Sequence, residues 1–218
     1  NIACGFHASD PMTMDQTVRM ALARKVEIGA HPGYPDLLGF GRRELHCEPR
    51  ELKMMVTYQI AALDGICRVN GTAISYVKPH GALYNKMMQD ADILATVMSA
   101  VADYNDELAL VVLANGDREA ISRLADQQRL RVLFEAFADR AYDALGRLVS
   151  RNLPGAVHHD PETIISQALT LSRGEALIAS DGSELLLDAQ TLCVHGDNAS
   201  SIAAVQRIRQ ALGKTSAS

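Results

Sequence analysis

Histidine and lysine side chains recur in this sequence directly after short apolar runs. His7 follows Ile-Ala-Cys-Gly-Phe, His31 follows Ile-Gly-Ala, Lys78 and His80 follow Ser-Tyr-Val, and His195 follows Leu-Cys-Val. Imidazole groups can carry protons or bind metal ions, and ammonium groups neutralise anions. One histidine in such a place could equally cap a neighbouring backbone. Four of the seven histidines follow an apolar run in this way, which favours a common catalytic site.

Carboxylates also stand near these positions. Glu135 follows Val-Leu-Phe and is a further catalytic candidate, although a residue of this kind could also cap a helix or form an ion pair. Asp10 and Asp197 lie shortly after His7 and His195 in the sequence. Imidazole and carboxylate groups are ligands of divalent metals. The candidate metal ligands in this sequence are therefore His7, Asp10, His31 and Asp197.

The segment 31–43 is rich in Gly and Pro, yet it carries two aromatic residues and ends on Arg42 and Arg43. Glycine lets the backbone approach a ligand closely, and the arginine fork suits carboxylate or phosphate groups. We therefore expect both arginines to bind substrate or phosphate. The alternative is a rigid surface loop without a ligand.

These residues are positioned by alternating strands and helices. Strands are predicted at residues 2–5, 26–30, 74–77, 108–113, 131–135 and 191–194. Helices are predicted from Pro11 and Pro49, around residues 93–101, and at 117–127, 161–171 and 200–212, with a small hairpin at 176–187. Regular alternation predicts an α/β fold with a parallel sheet, in which active sites lie at the carboxyl ends of the strands. The pattern does not choose between a closed barrel and an open sheet.

Composition narrows the class of protein. The chain has 218 residues, 48% hydrophobic and 22% charged, which is typical of one globular domain spanning 1–218. The net charge of -5 argues against a nucleic-acid partner. No apolar run approaches the length of a membrane span and no signal peptide is visible. Four cysteines without a Cys-x-x-Cys pair suggest reduced thiols and a cytoplasmic location.

Several catalytic motifs are absent from the sequence. It contains no Walker phosphate loop, no His-Glu-x-x-His zinc pair and no Gly-x-Ser-x-Gly nucleophile elbow. If the protein uses ATP, the nucleotide is not held by a standard Walker loop of this chain.

Longer segments resemble those of the LamB/YcsF family, in order and over nearly the whole chain. They are Asn-Ile-Ala-Cys-Gly-Phe-His-Ala (1–8), Ile-Gly-Ala-His-Pro-Gly-Tyr-Pro-Asp (28–36), Gly-Phe-Gly-Arg-Arg (39–43), Val-Lys-Pro-His-Gly-Ala-Leu-Tyr-Asn (77–85), Glu-Ala-Phe-Ala-Asp-Arg-Ala-Tyr (135–142) and Val-His-Gly-Asp (194–197). Motifs of this length are highly specific.

The resemblance implies a seven-stranded parallel (β/α) barrel of the glycoside hydrolase/deacetylase type. It also implies one component of an ATP-dependent 5-oxoprolinase, which works with subunits B and C and cleaves 5-oxo-L-proline to L-glutamate while ATP is hydrolysed to ADP and phosphate. Within the motifs, Asn85 and Arg140 are further candidates for binding substrate or phosphate. The resemblance is also compatible with a homo-oligomer and with a bound divalent metal.

Two departures from the family pattern stand out. Family members usually begin with an acidic Asp-Leu-Asn-Cys-Asp-Leu-Gly-Glu strand, which this sequence lacks, so we expect the barrel's first strand and part of the site to be missing. Position 9 is Ser where the family usually has Gly.

Two other functions remain open. The histidine-rich strand ends suit a metal-dependent deacetylase or amidohydrolase that acts without ATP. A non-catalytic component that binds substrate and presents it to partners is the second alternative.

Overall fold

The structure, a computed structural model, describes residues 1–115, 117–196 and 199–215. Its helices are α1 (Pro11–Ala23), α2 (Pro49–Val69), α3 (Gly81–Met87), α4 (Ala91–Tyr104), α5 (Arg118–Gln127), α6 (Pro161–Ser172) and α7 (Ala199–Thr215). Its strands are β1 (Ile2–Ala3), β2 (Gly29–His31), β3 (Tyr76–Val77), β4 (Ala109–Leu113), β5 (Arg131–Phe137), β6 (Leu177–Ile178), β7 (Glu184–Leu185) and β8 (Thr191–Cys193).

Six of the described strands form one sheet in the order β1-β2-β3-β4-β5-β8. The pairs β1–β2, β2–β3, β3–β4 and β5–β8 are parallel, which confirms the predicted parallel α/β fold. Strands β6 and β7 form the predicted antiparallel hairpin. The short helix α3 was not predicted. The Lys-Pro-His-Gly sequence at its start is typical of a turn, and it gave no signal for the helix that follows.

Strand β4 has the burial expected of a strand inside a parallel sheet that helices cover on both faces. All five of its residues are buried, as expected of a strand with both faces under helices. Such a strand has no polar alternation, and its Ala-Leu-Val-Val-Leu sequence has none.

Helices α1 and α2 have clear local signals. Asp10 caps α1, where its carboxylate accepts hydrogen bonds from the backbone N–H groups of Met12 and Thr13, and Pro11 occupies the first helical position. Helix α2 buries Leu52, Val56, Ile60, Leu63 and Cys67, which form one stripe at helical spacing.

The chain divides into two compact units. The first comprises Asn1–Val112 and Glu119–Val132; the second comprises Leu113–Arg118 and the chain from Leu133 onward. In the first unit, helix α2 packs against both α1 and α4. In the second, α6 packs against α7. A single domain over residues 1–218 stays a prediction.

The second unit has a small core of its own. Its buried members come from α6, α7 and the segment after β5: Ala138, Ile164, Ile165, Ala168, Ala204 and Ile208. Pro161 opens α6 and Asp160 caps it by accepting a hydrogen bond from the backbone of Thr163. Among the described helices, none combines the length and apolar character that crossing a bilayer requires.

Candidate functional site

Three imidazoles come together in the first unit because the strands carrying them are neighbours. His31 ends β2 and pairs in register with Ala3 of β1, a few residues before His7. Beyond β3, the backbone N–H of Lys78 donates to Ala30 and that of His80 donates to Pro32, each at 2.8 Å. The parallel pairing thus continues past the strand ends and holds His80 beside His31.

The three rings make direct contact. The rings of His7 and His80 are stacked, with centroids 3.9 Å apart and an angle of 2° between their planes. His31 meets both rings edge-on, with centroids 5.6 Å from His7 and 4.9 Å from His80. One ligand nitrogen of each residue lies within 4.8 Å of the others, so the cluster can hold a metal ion.

His31 and His80 lie in a line of polar contacts that ends on a carbonyl oxygen at each side. His31 Nδ1 lies 2.5 Å from the oxygen of Lys78, His31 Nε2 lies 3.0 Å from His80 Nδ1, and His80 Nε2 lies 2.8 Å from the oxygen of Phe40. Three hydrogen bonds along this line require three ring protons, whereas two neutral imidazoles carry two. An added proton or another cation is needed between the inner nitrogens.

The surroundings disfavour that added proton. Burial, followed by the charge of His80, lowers the pKa of His7 to about 3. Burial, followed by the charges of His80 and Lys78, holds the pKa of His31 well below its ordinary value. Near neutral pH, His7 and His31 are therefore neutral and keep a lone pair for a ligand.

The glycine-rich loop lies directly against these rings. A Cβ at Gly33 would lie 2.8 Å from Nδ1 of His7, and one at Gly41 would lie 2.8 Å from Cβ of His7 and 2.9 Å from Cδ2 of His80. Gly41 also has a φ of 65°, which favours glycine. The expected close approach of the loop backbone is thus to the histidines themselves.

Gln59 fixes this loop from helix α2. Its fully buried amide accepts from the backbone N–H of Gly33 and donates to the Gly33 oxygen, both at 2.9 Å. The two bonds satisfy both backbone groups of one loop residue. Sequence reasoning missed Gln59; the available signal was a polar residue within the apolar stripe of α2.

The two loop arginines have different surroundings. The Arg43 guanidinium binds the buried carboxylate of Asp36 through Nε, at 3.0 and 3.1 Å from its two oxygens, and through NH2. This hydrogen bonding lowers the pKa of Asp36 to about 2. Arg42 is exposed and lies over the ring of Phe40, 5.2 Å from its centroid.

Lys78 and Asn85 lie on either side of His80 in the sequence. Lys78 is buried, follows β3 directly, and has its Nζ 6.0 Å from the centre of the Tyr84 ring. Asn85 is an exposed residue of α3. Lys78 thus places a charge inside this unit, where it acts electrostatically on His31.

His195 belongs to the second unit, where Asp139 holds it. Oδ2 of Asp139 accepts from the backbone N–H of His195 at 3.0 Å and from its Nδ1 at 2.8 Å. Arg151 lies on the other side, with NH2 2.7 Å from Nε2 of His195. Burial by itself would raise the pKa of Asp139, but the hydrogen bond and charge of His195 outweigh it and lower that pKa. A carboxylate–imidazole pair of this kind can accept a proton at Nε2.

Two other predicted residues of the second unit are buried. Glu135 lies within β5 and Arg140 lies just beyond it. The Arg140 guanidinium donates to the backbone oxygens of Ala156 at 3.1 Å and of Val149 at 2.6 Å. Arg140 therefore ties together the segment after β5, and its predicted role in binding substrate stays a prediction.

Of the four predicted metal ligands, only His7 and His31 belong to the histidine cluster. Both carboxylate oxygens of Asp10 accept hydrogen bonds at the start of α1, and Asp197 lies outside the described residues. His80, predicted as catalytic only, joins His7 and His31. Asp139 and Arg151 were not predicted; Asp139 stands just after a strand, a signal that was available, whereas nothing in the sequence marks Arg151.

Comparison with known proteins agrees with this fold. The chain is 61% identical over 217 residues to the 5-oxoprolinase A subunit of Pseudomonas fluorescens (strain Pf0-1), covering 100% of this chain and 87% of that protein. It is 47% identical over 214 residues to the 5-oxoprolinase A subunit of Vibrio vulnificus (strain CMCP6), covering 98% and 86%. The crystal structure of a lactam utilization protein from Thermus thermophilus matches with a TM-score of 0.89 and 40% identity, over 98% of this chain and 85% of that one. The LamB/YcsF family model matches residues 1–218, and the chain therefore belongs to the LamB/YcsF family.

Proposed function

We propose that this chain is the A subunit of an ATP-dependent 5-oxoprolinase. With subunits B and C, it would cleave 5-oxo-L-proline to L-glutamate while ATP is hydrolysed to ADP and phosphate. The observation that carries the proposal is the cluster of His7, His31 and His80 with Lys78 beside it, because it lies in the segments that resemble the family. The names of relatives that match the chain end to end support the substrate.

The chemistry explains why ATP is needed. A γ-lactam carbonyl is a weak electrophile, and opening this ring in water is not strongly downhill. Once the lactam oxygen is phosphorylated, the ring carbon becomes a better electrophile. Water attacks that carbon, the ring C–N bond breaks with a proton going to nitrogen, and a second water releases phosphate. The reaction thus requires cationic groups for phosphate charge and a base for water.

In this proposal the first unit handles charge. Lys78 and Arg42 would neutralise the phosphate or the substrate carboxylate, while Arg43, engaged with Asp36, keeps the loop in place. Asn85, exposed on α3, would add a hydrogen bond to the substrate. The neutral imidazoles of His7 and His31 present lone pairs to whatever cation enters the cluster.

Taken by itself, the second unit contains a pair of residues that could transfer a proton, Asp139 and His195. Because Asp139 engages Nδ1 of His195, the lone pair at Nε2 is the one that can take a proton from water. Arg151 now donates to Nε2, so it must move aside when His195 acts as a base. Glu135, buried in β5, is the alternative acid or base of this unit.

One observation favours a second function. Three imidazoles with ligand nitrogens within 4.8 Å of one another are suited to a metal ion, and such ions activate water in amidohydrolases without any nucleotide. An amidohydrolase that ignores ATP is therefore the competing hypothesis.

A coupled assay separates these functions. ADP and glutamate formed from 5-oxoproline would be measured with this chain, with subunits B and C, and with all three. We expect equal amounts of ADP and glutamate only when all three are present. Lactam opening that does not consume ATP would replace the proposal with the amidohydrolase, and binding of 5-oxoproline without turnover in any mixture would indicate a substrate-binding component.

Variants connect the assay to the cluster. We expect His31→Ala and His80→Ala to abolish turnover in the complete mixture while leaving the circular dichroism spectrum unchanged. His46→Ala is the matched control, because His46 is an exposed loop histidine of the same unit. Full activity in His31→Ala or His80→Ala would remove that residue from the site.

A further inference from the structure

We propose that a cleft in the second unit binds a small uncharged amide with an apolar body. The cleft has a volume of about 340 Å³, and its walls come from the segment after β5, from helix α6 and from the β6–β7 hairpin. Neither Asp139 nor His195 lines it. The inference therefore stands whether or not the chain takes part in lactam opening.

The size and the apolar part of the lining suit an organic molecule. Pockets for small ligands usually enclose about 300–1,000 Å³ and are lined mainly by apolar side chains with a few polar groups. The apolar surface here comes from Ala141, Val149, Pro154 and Ile178. Ile178 is 69% exposed. A ligand that covers this side chain removes apolar surface from water, which stabilises the complex.

The charge of the lining favours an uncharged ligand. Among the described residues that line the cleft, none carries a carboxylate, ammonium or guanidinium group. A carboxylate or phosphate that entered would lose hydration without meeting a compensating charge. The apolar and neutral polar groups of the lining impose no such cost on a neutral molecule.

Gln167 of helix α6 offers the cleft an acceptor. Its Nε2 donates to the backbone oxygens of Phe137 at 2.8 Å and of Arg140 at 2.7 Å, which uses both protons of the amide. The side-chain oxygen is then the group of Gln167 that can bind a ligand. That oxygen requires an N–H or O–H donor.

His158 and Ser180 offer the cleft donors. In the part of the chain that the structure describes, neither side chain has a hydrogen-bond partner. Their backbones are held in place, because the N–H of His158 donates to the Asp139 oxygen at 2.9 Å and that of Ser180 donates to the Tyr142 oxygen at 2.8 Å. A hydroxyl and a neutral imidazole each carry one proton to donate. Either side chain can therefore bind a carbonyl oxygen.

The arrangement of these groups selects an amide. The acceptor belongs to α6, whereas the donors belong to the segment after β5 and to the hairpin. A ligand that uses both kinds of group needs its own donor and acceptor on separate atoms. An amide has this arrangement without a net charge, with its N–H for Gln167 and its carbonyl oxygen for Ser180 or His158. An alcohol has both functions on one atom, and a ketone has no donor.

Three compounds of similar size test the proposal: benzamide, acetophenone and benzoate. Acetophenone has a methyl group where benzamide has its nitrogen, and benzoate has a charged oxygen there. Each would be titrated into the whole chain labelled with ¹⁵N, and the backbone amide signals of Ala141, Gly155 and Ser180 would be followed by NMR. We expect saturable shifts with benzamide, and binding about 10-fold weaker or more with acetophenone and with benzoate.

A double variant connects the binding to the donors. Ser180→Ala combined with His158→Leu should weaken benzamide binding by about 10-fold, because the carbonyl oxygen then has no donor. The matched control combines Ser166→Ala with His159→Leu, two exposed residues of the same unit that do not line the cleft, and should leave the binding unchanged. Gln167 stays in both variants, because its amide also holds two backbone oxygens.

The unmodified chain gives the decisive result, which is independent of any folding defect in a variant. The absence of saturable shifts with benzamide, or equal affinities for benzamide and benzoate, would overturn the proposal. Unchanged binding in the double variant would do the same. Displacement of benzamide by 5-oxo-L-proline would overturn it as well, because a carboxylate would then occupy a cleft assigned to uncharged molecules. Benzamide binding by a chain that shows no lactam opening would support the cleft and count only against the proposed reaction.

Discussion

One oxygen of Asp139 accepts hydrogen bonds from both the backbone N–H and the Nδ1 of His195, at 3.0 and 2.8 Å. Two groups of one residue thus converge on a single carboxylate atom. This fixes the backbone, the ring orientation and the tautomer of His195 together. Asp139 is in this respect a positioning residue for His195.

We therefore expect Asp139→Asn to lower kcat in the coupled assay of the complete mixture by about 100-fold or more, with a smaller effect on KM. The amide keeps the size of the side chain but can turn its NH2 toward Nδ1, which favours the wrong tautomer. Nitrogen chemical shifts of labelled histidine would report the exchange of tautomers. Asp126→Asn, an exposed change on α5, should alter neither quantity; an unchanged kcat in Asp139→Asn would show that His195 needs no such partner.

Glycine at position 41 is required by both backbone and space. With a φ of 65° and His7 and His80 within 3 Å of any added Cβ, Gly41→Ala should lower the free energy of unfolding by about 1–3 kcal/mol. Displacement of the two imidazoles should also reduce activity. Urea unfolding measures the first effect and the coupled assay the second.

Gly65→Ala is the opposite case. Gly65 lies within helix α2 with nothing within 4 Å of an added Cβ. The same substitution there should stabilise the protein by about 0.5–1 kcal/mol. Equal effects at positions 41 and 65 would contradict the assigned role of Gly41.

The two hydrogen bonds between Gln59 and the backbone of Gly33 should contribute to the free energy of unfolding. Gln59→Met keeps a similar volume but leaves the buried N–H and oxygen of Gly33 without their partner. We expect a loss of about 2–4 kcal/mol in the free energy of unfolding, measured by urea denaturation. Gln16→Met on α1, whose side chain is exposed, should change it by less than about 0.5 kcal/mol. A neutral result at position 59 would mean that the loop does not depend on this amide.

The ion pair of Asp36 with Arg43 predicts a specific acid sensitivity. The pKa of Asp36 falls from 3.8 to about 2 on folding, so its contribution is complete above pH 3.8 and is lost as the pH falls through about 2. Between pH 5 and 2, wild-type stability should therefore decline more than that of Asp36→Asn. Urea midpoints across this range measure the difference, and parallel curves for the two proteins would refute the linkage.

Much of the fold could be inferred from local sequence. Asp10 with Pro11, and Asp160 with Pro161, mark the starts of α1 and α6 correctly, because capping involves only neighbouring residues. The positions of His7, His31 and His80 just after short apolar runs also placed them at the ends of parallel strands. The prediction that His195 shares their site stays a prediction, since it lies in the second compact unit.

The sequence by itself determined the α/β class, the helix starts and the chemical groups available at the strand ends. Only the tertiary structure decided which groups meet: His31 with His80, Gln59 with Gly33, and Asp139 with His195. These contacts join residues 49, 26 and 56 positions apart. They depend on strand register and on helix packing. A change of register by one residue would turn a strand residue such as His31 to the opposite face of the sheet.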